Sequence, residues 1–110
     1  PTSIVSIGSE AFAKCTALKS IVVPDSVTSI GTSAFNGCTA LTTATLSDSM
    51  TAVGGSLFYG CTSLTDVNLP SAVTELGYRS FAGCSKLETI VISETLTKLA
   101  SNVFENCTFT

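Results

Sequence analysis

The chain has 110 residues, five basic and eight acidic, for a net charge of −3, and 45% are hydrophobic against 12% charged. That balance excludes a disordered segment, and five dispersed cations exclude the concentrated basic face of a nucleic-acid binder. Mean hydropathy is +0.50, yet no apolar run exceeds three residues, as at Ile21-Val22-Val23 and Ile90-Val91-Ile92. A membrane span needs about 20, so membrane insertion is excluded too.

A single line of sequence recurs every 23 residues. It places Phe12, Phe35, Phe58, Phe81 and Phe104 in one column and Cys15, Cys38, Cys61, Cys84 and Cys107 in another. Ile7, Ile30, Val53, Leu76 and Leu99 form a third column, and Leu18, Leu41, Leu64 and Leu87 a fourth, with no insertion or deletion. A fixed short period marks a solenoid whose rungs contact only their neighbours.

In chain order, Ile4 to Ile7 is the first short strand or extended leg, and Ala11-Phe12 to Cys15 the first 3₁₀ or helical turn. Leu18 to Val23 then reads as a strand, because Ile21 and Val23 share one face. Pro24 closes it, as proline suits a strand end; Pro1, Ser47, Pro70 and Ser93 stand in its column. Val27 to Ile30 is the next short leg and Ala34-Phe35 to Cys38 the next turn. The cycle returns with strands at Leu41 to Leu46, Leu64 to Leu69 and Leu87 to Ile92. The short legs return at Met50 to Val53, Val73 to Leu76 and Leu96 to Leu99. The expected architecture is one array over residues 1–110, about 4.8 repeats of 23 residues. A parallel sheet of about four strands covers one side. No basic start followed by an apolar run reads as a secretory leader, and the chain opens mid-repeat, as a piece of a longer one would.

The pattern L-x-x-I-x-(V/L/I)-P-x-x-V-T-x-I-G-x-x-A-F-x-G-C-(T/S) resembles the BspA-like leucine-rich repeats, over the whole chain. Departures are few: Ala44 for a branched residue, Leu57, Ser80 and Val103 for alanine, Ala100 for glycine, and Thr110 where a leucine would open a strand. Ala44 and Leu57 suggest one exchange of small for large. The resemblance implies a secreted or cell-surface protein of bacteria or parasitic protists, and a non-catalytic adhesion and protein-recognition module within a longer multidomain chain. Its partners would be an extracellular protein or glycan and the neighbouring repeats or domains of the parent chain.

The residues themselves offer little chemistry. There is no histidine, and no two cysteines lie closer than 23 residues, whereas metal ligands come in close pairs. No metal and no cofactor are therefore expected. Rungs about 4.8 Å apart leave room for disulfides, which begin near 4.4 Å between Cα atoms. Stacked Cβ vectors run parallel instead of converging, so a column of buried thiols is the favoured reading. A nucleophile would lack a histidine base. Asp25, Asp48, Asp66, Glu75, Glu88 and Glu94 are single acids in turns or outward positions, so no enzyme activity is expected.

Threonines 28, 51, 74 and 97 form one column, and 16, 39, 62 and 108 another. Ice binding would want paired outward threonines on every rung, and only Thr43 and Thr45 form such a pair. Cross-rung packing and bonding to loop backbone is the expected role. What remains is the outward strip of the sheet: Ser20 and Val22, Thr43 and Thr45, Asp66 and Asn68, Thr89 and Val91. A solenoid binds extended partners on such a face. The strip is the candidate partner-binding surface; a passive spacer that displays a neighbouring domain is the alternative. An ice-binding face and a glycan-directed accessory module for an enzyme are weaker alternatives.

Overall fold

The computed structural model describes residues 5–87, 90 and 94–107. Eight short strands follow in order: β1 (Ser6–Ile7), β2 (Ser20–Val22), β3 (Ser29–Ile30), β4 (Thr43–Thr45), β5 (Ala52–Val53), β6 (Asp66–Asn68), β7 (Glu75–Leu76) and β8 (Lys98–Leu99). Every pairing is parallel. The main sheet has the order β2-β4-β6 and the second side carries β1-β3 and β5-β7-β8. The fold is the expected parallel solenoid. Three of the anticipated main strands fall among the described residues; the fourth, Leu87 to Ile92, lies largely outside them.

Alternation explains each main strand. Ala44 and Val67 point inward and are buried, while the residues flanking them face solvent or are half-covered. Pro70 closes its strand without a donor to satisfy. Ser47, in the same column, is fully buried and gives its hydroxyl to Val27 C=O at 2.6 Å. A buried hydroxyl left unpaired would cost stability.

The third side holds the phenylalanines and cysteines, and here the expectation of 3₁₀ or helical turns is not met. Among the described residues this leg is a run of turns with no helix. The reason lies in the backbone. Glu10, Ser33, Ser56, Arg79 and Asn102 form one column with positive φ, and Lys14, Gly37, Gly60, Gly83 and Asn106 form a second. A left-handed residue every few positions stops helical propagation. Alternate N–H groups instead leave the rung: Phe12, Phe35, Phe58 and Phe81 donate to Ala34, Leu57, Ser80 and Val103 C=O at 2.7 to 3.1 Å. The N–H groups between them close turns within the rung, as Cys38 to Phe35 C=O at 3.3 Å. The leg is thus a third hydrogen-bonded ladder, with its inter-rung donors all aimed toward the C-terminal end.

The core fills the space between the three sides. Phe35, Phe58 and Phe81 are completely buried. The five rings stack with centroids 5.4 to 5.8 Å apart and planes within 17°. Offset stacking at that separation adds to the burial of apolar area. Ala44, Met50 and Leu57 are all buried in one cluster, so the rung with the smallest sheet residue carries larger side chains elsewhere. At the corner after the short leg, a Cβ on Gly31 would lie 2.3 Å from Ser9 N and one on Gly77 2.7 Å from Gly55 N. Glycine is needed there because backbone approaches backbone. At Gly54 the nearest atom, Ile30 O, is 3.4 Å away. The rungs stand further apart at this corner, and here β3 and β5 do not pair.

Candidate recognition surface

Register builds the strip from the backbone up. Ser20, Thr43 and Asp66 are direct partners across β2, β4 and β6, as are Val22, Thr45 and Asn68. Ser20, Val22, Thr43, Asp66 and Asn68 are exposed and Thr45 is half-buried. Asn68 Nδ2 donates to Thr45 Oγ1 at 3.1 Å, which ties two rungs together on the surface. Thr89 and Val91 lie outside the described residues. The six described residues make a flat patch with one carboxylate, one exposed valine at 73% accessibility and no aromatic.

The threonine columns are occupied elsewhere. Thr42 and Thr65 hydroxyls donate to Lys19 and Thr42 C=O at 3.0 and 3.1 Å. On the second side Thr28, Thr74 and Thr97 donate to Val5, Thr51 and Thr74 C=O at 3.1 to 3.3 Å. These hydroxyls bond to the preceding rung, as expected of cross-rung roles. The turn acids act alike: Asp25 Oδ1 accepts Asp48 N–H and Asp48 Oδ1 accepts Ser71 N–H, both at 3.0 Å. Among the described residues no three His, Cys, Asp or Glu side chains gather to hold a metal.

All five cysteines are free thiols. Cys38, Cys61, Cys84 and Cys107 Sγ donate to Phe12, Phe35, Phe58 and Phe81 C=O, each at 3.1 Å. Burial raises the thiol pKa of Cys38, Cys61, Cys84 and Cys107, with Cys61 pushed up to about 12. These are structural donors protected from ionisation, and the end members Cys15 and Cys107 are only half-buried.

A second exposed group lies on the turn side. Tyr59 and Tyr78 are among the few large exposed side chains. The Arg79 guanidinium carbon sits 5.1 Å from the Tyr78 ring centroid, and its Nε is 3.7 Å from Glu105 Oε1. The tyrosines stand out in the sequence as departures from their columns; the Arg79–Glu105 approach does not, because it joins two columns across rungs.

A model of the BspA-type leucine-rich repeat region matches residues 1–110 in six copies. The chain belongs to this family. No curated protein matches it. The BspA-type array is similar to a solved leucine-rich cell-surface protein of Faecalibacterium prausnitzii, with 41% identity, a TM-score of 0.95, and coverage of 98% of this chain and 28% of that one. It is also similar to a leucine-rich repeat protein of Treponema pallidum, abbreviated T. pallidum, with 29% identity, a TM-score of 0.91, and coverage of 96% and 51%. A leucine-rich repeat protein of Eubacterium ventriosum shares 28% identity at a TM-score of 0.70, over 99% of this chain and 36% of that one. This BspA-type chain therefore spans from about a quarter to about half of those molecules.

Proposed function

We propose that this BspA-type array is a non-catalytic recognition module of a surface or secreted protein, and that it binds an extended extracellular protein or glycan across the outward strip of its main sheet. The observation that carries this reading is the register of Ser20, Thr43 and Asp66 beside Val22, Thr45 and Asn68, which repeats one surface along the stack. The similarity to a cell-surface protein supports the location. Residues 1–110 form a single array in this reading, within a longer chain.

Strands about 4.8 Å apart give a patch roughly 15 Å long over four rungs, short of the roughly 800 Å² per partner of a standard interface. One copy binds weakly, and linked copies bind through effective concentration. The test is to display the chain as a tetramer and pass it over panels of extracellular proteins and glycans. Retention of one partner class by the tetramer and little by the single chain is the expected result. Failure of the tetramer to retain anything would make the array a spacer that displays another domain.

A further inference from the structure

Among the described residues β2 pairs on one side only, with β4. Its other edge borders an apolar cleft of about 240 Å³ lined by Ile7, Phe12, Ile21, Val23 and Val27, among others. An apolar cavity of roughly 150 Å³ accommodates a benzene molecule, so this cleft has room for aliphatic side chains. Ile7, Phe12 and Ile21 are partly buried, whereas Val53, Phe58 and Val67, further along the same columns, are buried.

The backbone of β2 matches the cleft. Val23 N–H turns toward β4 and donates to Thr45 C=O at 2.8 Å; Leu46 N–H donates to Asn68 C=O at 3.0 Å. The carbonyl at the Thr45 and Asn68 position thus faces the preceding rung. Val22 holds that position in β2, and strand alternation turns its N–H and C=O away from β4 and over the open edge.

We propose that this edge accepts a strand: an extended peptide segment of another chain lies parallel to β2, with aliphatic side chains at its first, fourth and sixth residues directed into the cleft. The spacing is that of Leu41, Ala44 and Leu46 or Leu64, Val67 and Leu69, which serve the neighbouring rungs in this way. Main-chain bonds would supply affinity and the side-chain seats specificity. The hydrocarbon lining selects an aliphatic peptide over a polar ligand. This site is an edge and not the outward face, so it stands or falls apart from the function proposed above.

The probe is a fluorescent heptapeptide with the sequence of residues 18–24, Leu-Lys-Ser-Ile-Val-Val-Pro, titrated into the whole chain while amide shifts are followed. Saturable binding with shifts at Ser20 and Val22 is expected. Val22→Pro removes the N–H aimed at the incoming strand, a change that edge strands tolerate; it should weaken binding about tenfold or more, one lost hydrogen bond being worth about that factor. Val22→Thr should retain binding. Methylating the amide of the peptide's sixth residue, which would donate to Val22 C=O, should weaken binding equally without any change to the protein. The proposal is overturned by absence of saturation on the wild-type chain, by equal binding of a scrambled peptide, or by indifference to both backbone changes. A wild-type dimer that Val22→Pro returns to monomer in sedimentation would assign the edge to a second copy and also overturn it.

Discussion

Phe58→Ala probes the ring stack at its centre. Phe58 is fully buried and lies 5.6 Å from Phe35 and 5.4 Å from Phe81. Truncation opens a cavity costing about 3–5 kcal/mol, a figure that includes the lost contacts. Two ring pairs of about 0.5–1.5 kcal/mol each place this site at the upper end of that range. A chain of this length has roughly 5–16 kcal/mol of stability at about 0.05–0.15 per residue, so the loss takes a large share. Phe104 is half-buried with one described stacking partner at 5.8 Å, and Phe104→Ala should cost about half as much. Thr45→Ala loses one surface hydrogen bond from Asn68 and should cost about 1 kcal/mol or less. Urea unfolding followed by circular dichroism reads these differences. With a slope of about 2 kcal/mol/M, Phe58→Ala should move the midpoint down by about 2 M. Equal midpoints for the Phe58 and Thr45 variants would refute the claim that the stack holds the rungs together.

Other outcomes follow from single contacts. Ser80 is fully buried and its Oγ has no hydrogen-bond partner among the described residues, so Ser80→Ala should raise stability by about 1 kcal/mol, read in the same urea titration. Gly31→Ala would force a Cβ against Ser9 N, while Gly8→Ala meets nothing within 4 Å; the first should cost about 1–3 kcal/mol of overpacking and the second far less, as thermal melts would show. Without reductant the intact mass should show no protons lost to disulfides, and in the folded state Cys61 and Cys84 should react with a thiol reagent much more slowly than half-buried Cys15. The raised thiol pKa also sets a sign. Cys61 keeps its proton in the fold up to about 12, whereas the unfolded thiol loses it near 9.0. Its contribution is complete below pH 9 and is lost as pH rises toward 12. The melting temperature should therefore fall across that window, and less so in Cys61→Ala relative to its own value at pH 8.

The main sheet was legible in the sequence because its signal is alternation: Ile21 with Val23, and Thr43 and Thr45 around Ala44, assign inward and outward faces directly. The phenylalanine column was equally legible, since an aromatic recurring in every rung has to stack on itself. The third side was not. Ala-Phe-x-x-Cys has the spacing of a helical turn, and the left-handed positions at Glu10, Lys14, Ser33, Ser56 and Arg79 carry no glycine to announce them. Only Gly37, Gly60 and Gly83 gave a hint. The thiol bonds to Phe12, Phe35, Phe58 and Phe81 carbonyls were hidden because a backbone acceptor leaves no mark in sequence. The outward strip was readable as a face, although its chemistry depends on pairs such as Asn68 with Thr45 that only the register brings together. The edge of β2 required the structure, because the cleft joins Ile7 and Phe12 to residues of the following rung.

The central claim is that recognition uses the outward strip, and it is tested most directly by placing charge there. Thr45→Glu and Asn68→Lys each change an outward side chain with no role in the core, so the melting temperature should stay within a few degrees of the wild type. Against a partner retained by the tetrameric array, both variants should lose binding. Binding that survives both substitutions at an unchanged melting temperature would contradict the assignment of the partner to this face.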